Sequence, residues 1–250
     1  MYSRQPIKCT FPSGVPRIDA YWSFQHDAEQ KAHTLSFVER LDSQNPHSRI
    51  FLAKTENSNE PVLVKLIYGP YGYDMHRVLA SEGLAPAIHG RIVAPESVAP
   101  IADAYIMEYL PPPSMDPKSA GWITLYAFEQ AVKRFDADRK KSLKDRIWPV
   151  LDTILNVMKE KSLVHGDLRS NNIMMEVESD RSLPSGDVRL RVIDFDWGGP
   201  VDVTCYPPVR NEAAATWPGL RGAPIEVRHD RQLVKTRWNE FGVAKMTPLP

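Results

Sequence analysis

The chain has only two cysteines, Cys9 and Cys205, far apart and outside any ligand pattern. Such scarcity suits a reducing compartment better than a disulfide framework. No apolar run is long enough for a membrane span, and residues 1–22, MYSRQPIKCTFPSGVPRIDAYW, carry no signal-peptide stretch. The expectation is a soluble intracellular protein, cytoplasmic or nuclear, without a membrane partner. Charge of one sign is also missing: 31 Lys and Arg face 31 Asp and Glu. With this balance, and no basic stripe around Trp122, Trp148, Trp197, Trp217 and Trp238, a nucleic-acid partner is not expected and the tryptophans read as core anchors. No repeat of fixed period is visible.

At 250 residues the chain can bury a core as one domain or as two small lobes. Its 22 prolines bunch in PPPSMDP (111–117), YPPVR (206–210) and the last three residues, which predicts long ordered loops. Residues 1–30 show no periodicity and read as an N-terminal arm. RIFLAKT (49–55), the polar turn ENSNEP and VLVKLIY (62–68) read as a β-hairpin. Within it Leu63, Lys65 and Ile67 share one face. A lysine there is either an edge-strand residue reaching for water or a functional cation. DMHRVLASEGLAP (74–86) has helical spacing and ends on Gly83 and Pro86; IADAYIMEYL (101–110) reads as a buried strand. ITLYAFEQAVKRF (123–135) and RIWPVLDTILNVMKEK (146–161) are amphipathic helices, with Pro149 expected in the first turn of the second. Strands first and helices later predict an α+β protein.

VHGDLRSNNIMM (164–175) carries the chemistry. NIMMEV (172–177) and VRLRVIDFDW (188–197) read as a second hairpin, which brings Asp167 and Asn172 at one end together with Asp194 at the other. Two carboxylates and an amide suit Mg²⁺, a hard cation that takes oxygen ligands and keeps water and phosphate in its shell. Phosphoryl transfer needs such a metal, a cation on the non-transferred phosphates and a carboxylate on the attacking hydroxyl. Asp194 and Asn172 fit the metal, Asp167 the hydroxyl and Lys65 the phosphates.

HGDLRSNN resembles the H-x-D-x-x-x-x-N catalytic loop of the protein-kinase-like superfamily through His165, Asp167 and Asn172, and IDFDW resembles its D-F-G metal segment through Asp194. VLVKL is similar to its lysine strand and MEYL (107–110) to its hinge. The likeness is greatest to fungal-type atypical protein kinases, in which HGDLR and DFDW precede a YP…N…WP…HD stretch, here CYPPVRN, TWPG and RHD. This resemblance implies a bilobal protein-kinase-like fold, with a β-rich N-lobe (31–107), a hinge (108–117) and a helical C-lobe (118–250) shortened at its C-terminus. It also implies ATP and Mg²⁺ as cofactors and either a protein Ser/Thr hydroxyl or a small alcohol as acceptor. Met107 becomes the gatekeeper, and the backbones of Glu108 and Leu110 take the adenine. His165 supports the loop, Arg169 faces the transferring phosphate or forms a structural ion pair, and Asp230 anchors the loop from the following helix.

The departures bear on activity. DSQNPHS (42–48) has no glycine where the family has a glycine-rich phosphate loop. The helix carboxylate expected to pair with Lys65 is Asp74, ahead of Glu82, which reads as a surface group. Gly166 replaces an arginine that reads activation-loop phosphates, and HGD loops also resemble those of aminoglycoside and choline kinases. Asp196 stands where the motif has glycine, as an added ligand or a solvent-facing group. His76 and His89 read as structural or exposed. A protein kinase, a small-molecule kinase and a pseudokinase or truncated scaffold therefore all remain open.

Overall fold

A computed structural model describes residues 22–23, 35–41, 49–55, 59–67, 69–92, 103–114, 116, 120–180 and 182–241. The turn 42–48, Cys9 and nearly all of the 1–30 arm lie outside the described residues, as do parts of the 108–117 stretch. The chain divides into two compact units: residues 1–70 with 86–109, and residues 71–85 with 110–250.

The first unit is one antiparallel sheet. Its strands are β1 (Trp22–Ser23), β2 (Leu35–Arg40), β3 (Ile50–Thr55), β4 (Pro61–Ile67), β5 (Ile88–Ile92) and β6 (Asp103–Glu108), in the order β1-β5-β6-β4-β3-β2. The predicted hairpin is the β3/β4 pair, running from Ile50 opposite Lys65 to Lys54 opposite Pro61. Strand β4 lies between β3 and β6, so Lys65 is not on an edge; it sits opposite Tyr105 on β6 and is only 8% exposed. Edge strand β2 carries a register irregularity between Phe37 and Glu39, a feature that discourages pairing with further strands.

The second unit contains α1 (Tyr73–Ser81), β7 (Gly121–Thr124), α2 (Leu125–Val132), α3 (Ala137–Glu160), β8 (Leu163–Val164), β9 (Ile173–Val177), β10 (Leu190–Val192), β11 (Gly199–Pro200) and α4 (Val227–Asn239). Helix α1 interrupts the strands of the first unit in sequence but packs with later residues, because Met75 and Leu79 enter the same core as Ile147, Leu151 and Ile154 of α3. It stops as its sequence predicts: Gly83 takes a left-handed φ of 69°, its N–H donates to Ala80 C=O, and Leu84 N–H donates to Leu79 C=O.

Two helix boundaries differ from expectation. The 123–135 segment begins as strand β7, which pairs with β9; Thr124 then caps α2 by accepting the Ala127 N–H at 3.1 Å. Helix α3 starts at Ala137, capped by the Asp136 carboxylate on the Arg139 N–H at 2.7 Å, so Pro149 lies in its interior and not its first turn. The exposed position of Pro149 lets the carbonyl that loses its partner face water, which lowers the cost of an interior proline. Strands β9 and β10 form the second predicted hairpin, with Ile173 opposite Val192, and β7 extends it to three strands. Among the described residues no helix is long and apolar enough to cross a membrane.

Candidate functional site

The HGDLRSNN loop leaves β8 and enters β9 through a 3₁₀ turn, Ser170–Asn172. Its entry is held by Asp230, 1% exposed in the first turn of α4. The carboxylate accepts the backbone N–H of His165 at 2.7 Å and of Gly166 at 2.9 Å. Burial pushes the Asp230 carboxyl up, against these two donors and nearby His165, which favour the ionised form. Gly166 has a left-handed φ of 77°, and a Cβ there would come within 2.5 Å of the Ile225 side chain. The left-handed backbone thus favours the glycine read from the sequence, and a side chain there would also displace the end of Ile225.

His165 is fully buried and bonded at both ring nitrogens. The Asp167 N–H donates to Nδ1 at 3.3 Å, so Nδ1 is an acceptor and Nε2 carries the proton it gives to the Ile193 carbonyl at 3.0 Å. Asp167 and Asn172 meet directly. Asn172 Nδ2 donates to the Asp167 carboxylate at 3.0 Å and to its backbone carbonyl at 2.9 Å. With both amide hydrogens spent, Asn172 Oδ1 is left as the hard oxygen of that side chain. Arg169 forms a fork on the Asp167 carboxylate, through Nε to one oxygen and through Nη2 to the other at 2.9 Å. Its guanidinium also lies 5.3 Å from the Trp217 ring centroid, so a residue of the later loop braces it. Beside Asp167 its basicity rises further.

Asp194 is close in the ladder to this end: Ile193 N–H donates to the Asn172 carbonyl at 2.9 Å, next to the Ile173 and Val192 pair. Asp194 is exposed and has φ 65°, a left-handed conformation uncommon outside glycine and best tolerated by Asp and Asn. The next residue shows what holds it there. Phe195, 1% exposed, stacks on His76 at 4.3 Å and packs against His165 at 5.4 Å and Tyr71 at 6.2 Å. Tyr71 Oη lies 2.7 Å from His76 Nδ1, and Gly72 N–H donates to the Phe195 carbonyl at 2.9 Å. Gly72 has no room for a Cβ, which would meet the Gly198 carbonyl oxygen at 2.6 Å. His76 is thus a fully buried part of the Asp194 support, a contact that sequence reading leaves at "structural or exposed". Asp196 is half-buried.

Among the described residues no group of three His, Cys, Asp or Glu gathers as a metal cluster. Asn172 Oδ1 and one carboxylate nevertheless fit a Mg²⁺ ion that takes most of its shell from water and phosphate.

Asp74 is in the first turn of α1, its side chain 71% exposed and 3.6 Å from Arg77; Glu82 is the exposed C-cap. In the first unit Lys65 and Met107 are buried on neighbouring strands, with Lys65 opposite Tyr105 and Leu63 opposite Met107. The Glu108 N–H donates to Ala87 C=O at 2.8 Å and its carboxylate accepts the Ala87 N–H at 3.0 Å, so β6 is clamped where it ends. Leu110 is half-buried in the second unit. Burial lowers the pKa of His89 on β5, against the pull of Glu108 and Glu60.

No protein-family model matches the chain, and no curated protein matches it in sequence. Its structure is similar to that of the Cydia pomonella granulovirus kinase PK-1, with a TM-score of 0.52 at 16% identity over 83% of this chain and 67% of the viral one. The mixed α+β chain has a kinase-like bilobal fold.

Proposed function

We propose that the protein is an ATP- and Mg²⁺-dependent phosphotransferase acting on the Ser or Thr hydroxyl of a protein. The observation that carries this reading is the contact between Asp167, Asn172 and Arg169 in a loop fixed at its entry by Asp230. A buried network with its donors assigned holds Asp167 for one task, and a carboxylate so placed suits orientation of an acceptor hydroxyl and receipt of its proton. Mg²⁺ supplies neutralisation of phosphate charge; Asn172 Oδ1 and Asp194 would hold it. Lys65 takes the non-transferred phosphates, while Met107 and the backbones of Glu108 and Leu110 take the adenine. The committed Glu108 N–H leaves that residue's carbonyl for the purpose.

Arg169 has two tasks in sequence. Before substrate it neutralises Asp167; with nucleotide bound it turns toward the transferring phosphate and frees the carboxylate for the hydroxyl. His165 holds the backbone between Asp167 and Ile193. Asp74, with its exposed side chain, orders nucleotide only if it leaves Arg77.

The test is thermal unfolding with and without ATP and Mg²⁺, because a ligand that binds only the folded state raises the midpoint by mass action. A midpoint rise that needs Mg²⁺ and disappears in D194A is expected, together with phosphopeptides from a peptide library that D167A does not form. No shift at millimolar nucleotide would sink the reading and favour a scaffold. A shift without phosphopeptides, but with ADP release on amino alcohols or sugars, would move the acceptor to a small molecule.

A further inference from the structure

Helix α2 presents Leu125, Phe128, Glu129 and Val132 at positions i, i+3, i+4 and i+7, which is one buried stripe containing one carboxylate. Carboxylates are rarely buried in such a stripe without a partner that fixes them. Glu129 is 3% exposed, and its Oε2 accepts two side-chain bonds. One comes from Arg237 Nε on α4 at 3.0 Å; the other comes from Ser170 Oγ at 3.3 Å. Ser170 opens the turn whose third residue is Asn172. Arg237 in turn reaches Glu240 at 3.3 Å, so the charged groups here are Glu129, Arg237 and Glu240.

We propose that Glu129, with Arg237 as its counter-ion, is a positioning residue that fixes the Ser170–Asn172 turn and through it the Asn172 amide bonded to Asp167. The HGDLRSNN loop then has a second anchor at its exit, supplied by α2 and α4, opposite the Asp230 anchor at its entry. A carboxylate kept only for the stability of α2 has no need of a bond to this loop. An apolar residue would serve that face as well, because a paired buried charge is often no more stabilising than a hydrophobic side chain of similar volume. The consequence for metal-nucleotide binding rests on the phosphotransferase reading; the consequence for the turn does not.

The discriminating variant is Glu129→Leu, which keeps the stripe apolar and filled. Hydrogen exchange is followed for residues 168–173, with the α3 amides as internal reference, in the parent, E129L, E129Q, S170A and E129L/S170A. In E129L and in S170A the turn amides exchange about fivefold faster, the effect of losing one net hydrogen bond, while α3 amides are unchanged. E129Q, whose amide oxygen still accepts from Ser170, restores most of the protection. The double variant is no worse than E129L, since both changes break one contact. Parent-like exchange at the turn in E129L, or effects of E129L and S170A that add, would overturn the proposal. A parallel thermal scan keeps the two readings apart. If the parent shows no Mg²⁺-ATP shift, the phosphotransferase reading fails and exchange still decides the role of Glu129. If the parent shows the shift, E129L requires at least severalfold more Mg²⁺ to reach it, and E129Q does not.

Discussion

Two buried carboxylates hold the two ends of one loop, and they do so with different chemistry. Asp230 binds the entry through the backbone N–H groups of His165 and Gly166, whereas Glu129, paired with Arg237 of α4, binds the exit through the side chain of Ser170. Burial raises the pKa of both, but among the described residues Asp230 has no counter-ion at hydrogen-bond distance and relies on amide donors. An anchor on backbone amides fixes main-chain direction whatever side chains the loop carries. One on side chains fixes a single contact and can be tuned by replacing either partner.

The largest effect is expected at Asp230. D230A strands two buried amide donors, so a loss of about 3–5 kcal/mol of unfolding free energy in urea is expected, with the whole HGDLRSNN loop exchanging freely. D230N, whose single side-chain oxygen replaces two, should lose about half as much. A loss below 1 kcal/mol for D230A would show that the entry is held by something else.

Acidification acts on the exit anchor. Glu129 has a folded pKa above its ordinary value near 4.5, chiefly through burial, partly offset by Arg237. Its charge is therefore costlier in the folded chain. That cost is present above the folded pKa and is relieved as pH falls toward 4.5. Urea midpoints compared for the parent and E129L should thus move apart in the parent's favour on acidification, levelling near pH 4.5. A constant difference across this range would mean that Glu129 titrates as it does in water.

The smallest effect is expected next to the Asp230 anchor. Arg231 bridges α4 to α3 through Asp152 and Asn156, each at 2.8 Å, and Arg231 holds the Asp152 carboxyl below its usual value. This clamp faces water, so R231A should cost only about 0.5 kcal/mol. A loss rivalling D230A would mean that α4 is seated by its surface ions and not by its buried carboxylate.

Elements with strong local signals were legible before folding. The β3/β4 and β9/β10 hairpins follow from alternation between polar turns, and the end of α1 follows from Gly83. Pro149 was misplaced because helical periodicity begins visibly only at Arg146, while the polar first turns from Ala137 depend on the Asp136 cap. Strand β7 was hidden because GWIT is short and runs directly into α2; its identity comes from pairing with β9, a contact about 50 residues away along the chain. The membership of α1 was hidden for a related reason, since its apolar face finds Ile147 and Leu151 and not the strands beside it in sequence. Asp167, Asn172 and Asp194 stand out through spacing, and Asp230 through the resemblance carried by the RHD stretch. Glu129 left a weaker mark, a single carboxylate where the helix period calls for an apolar residue, and His76 left none.

Gly166 sets a limit on how this molecule can be altered. Its left-handed φ strains any side chain by about 1–2 kcal/mol, so an arginine placed there bears that cost before it binds anything. The end of the Ile225 side chain, 2.5 Å from where a Cβ would stand, would also have to turn aside. Forms that carry a cation between His and Asp therefore start from a loop with less stability to spare. A smaller residue at 225 relieves the steric part of that cost and leaves the backbone part in place.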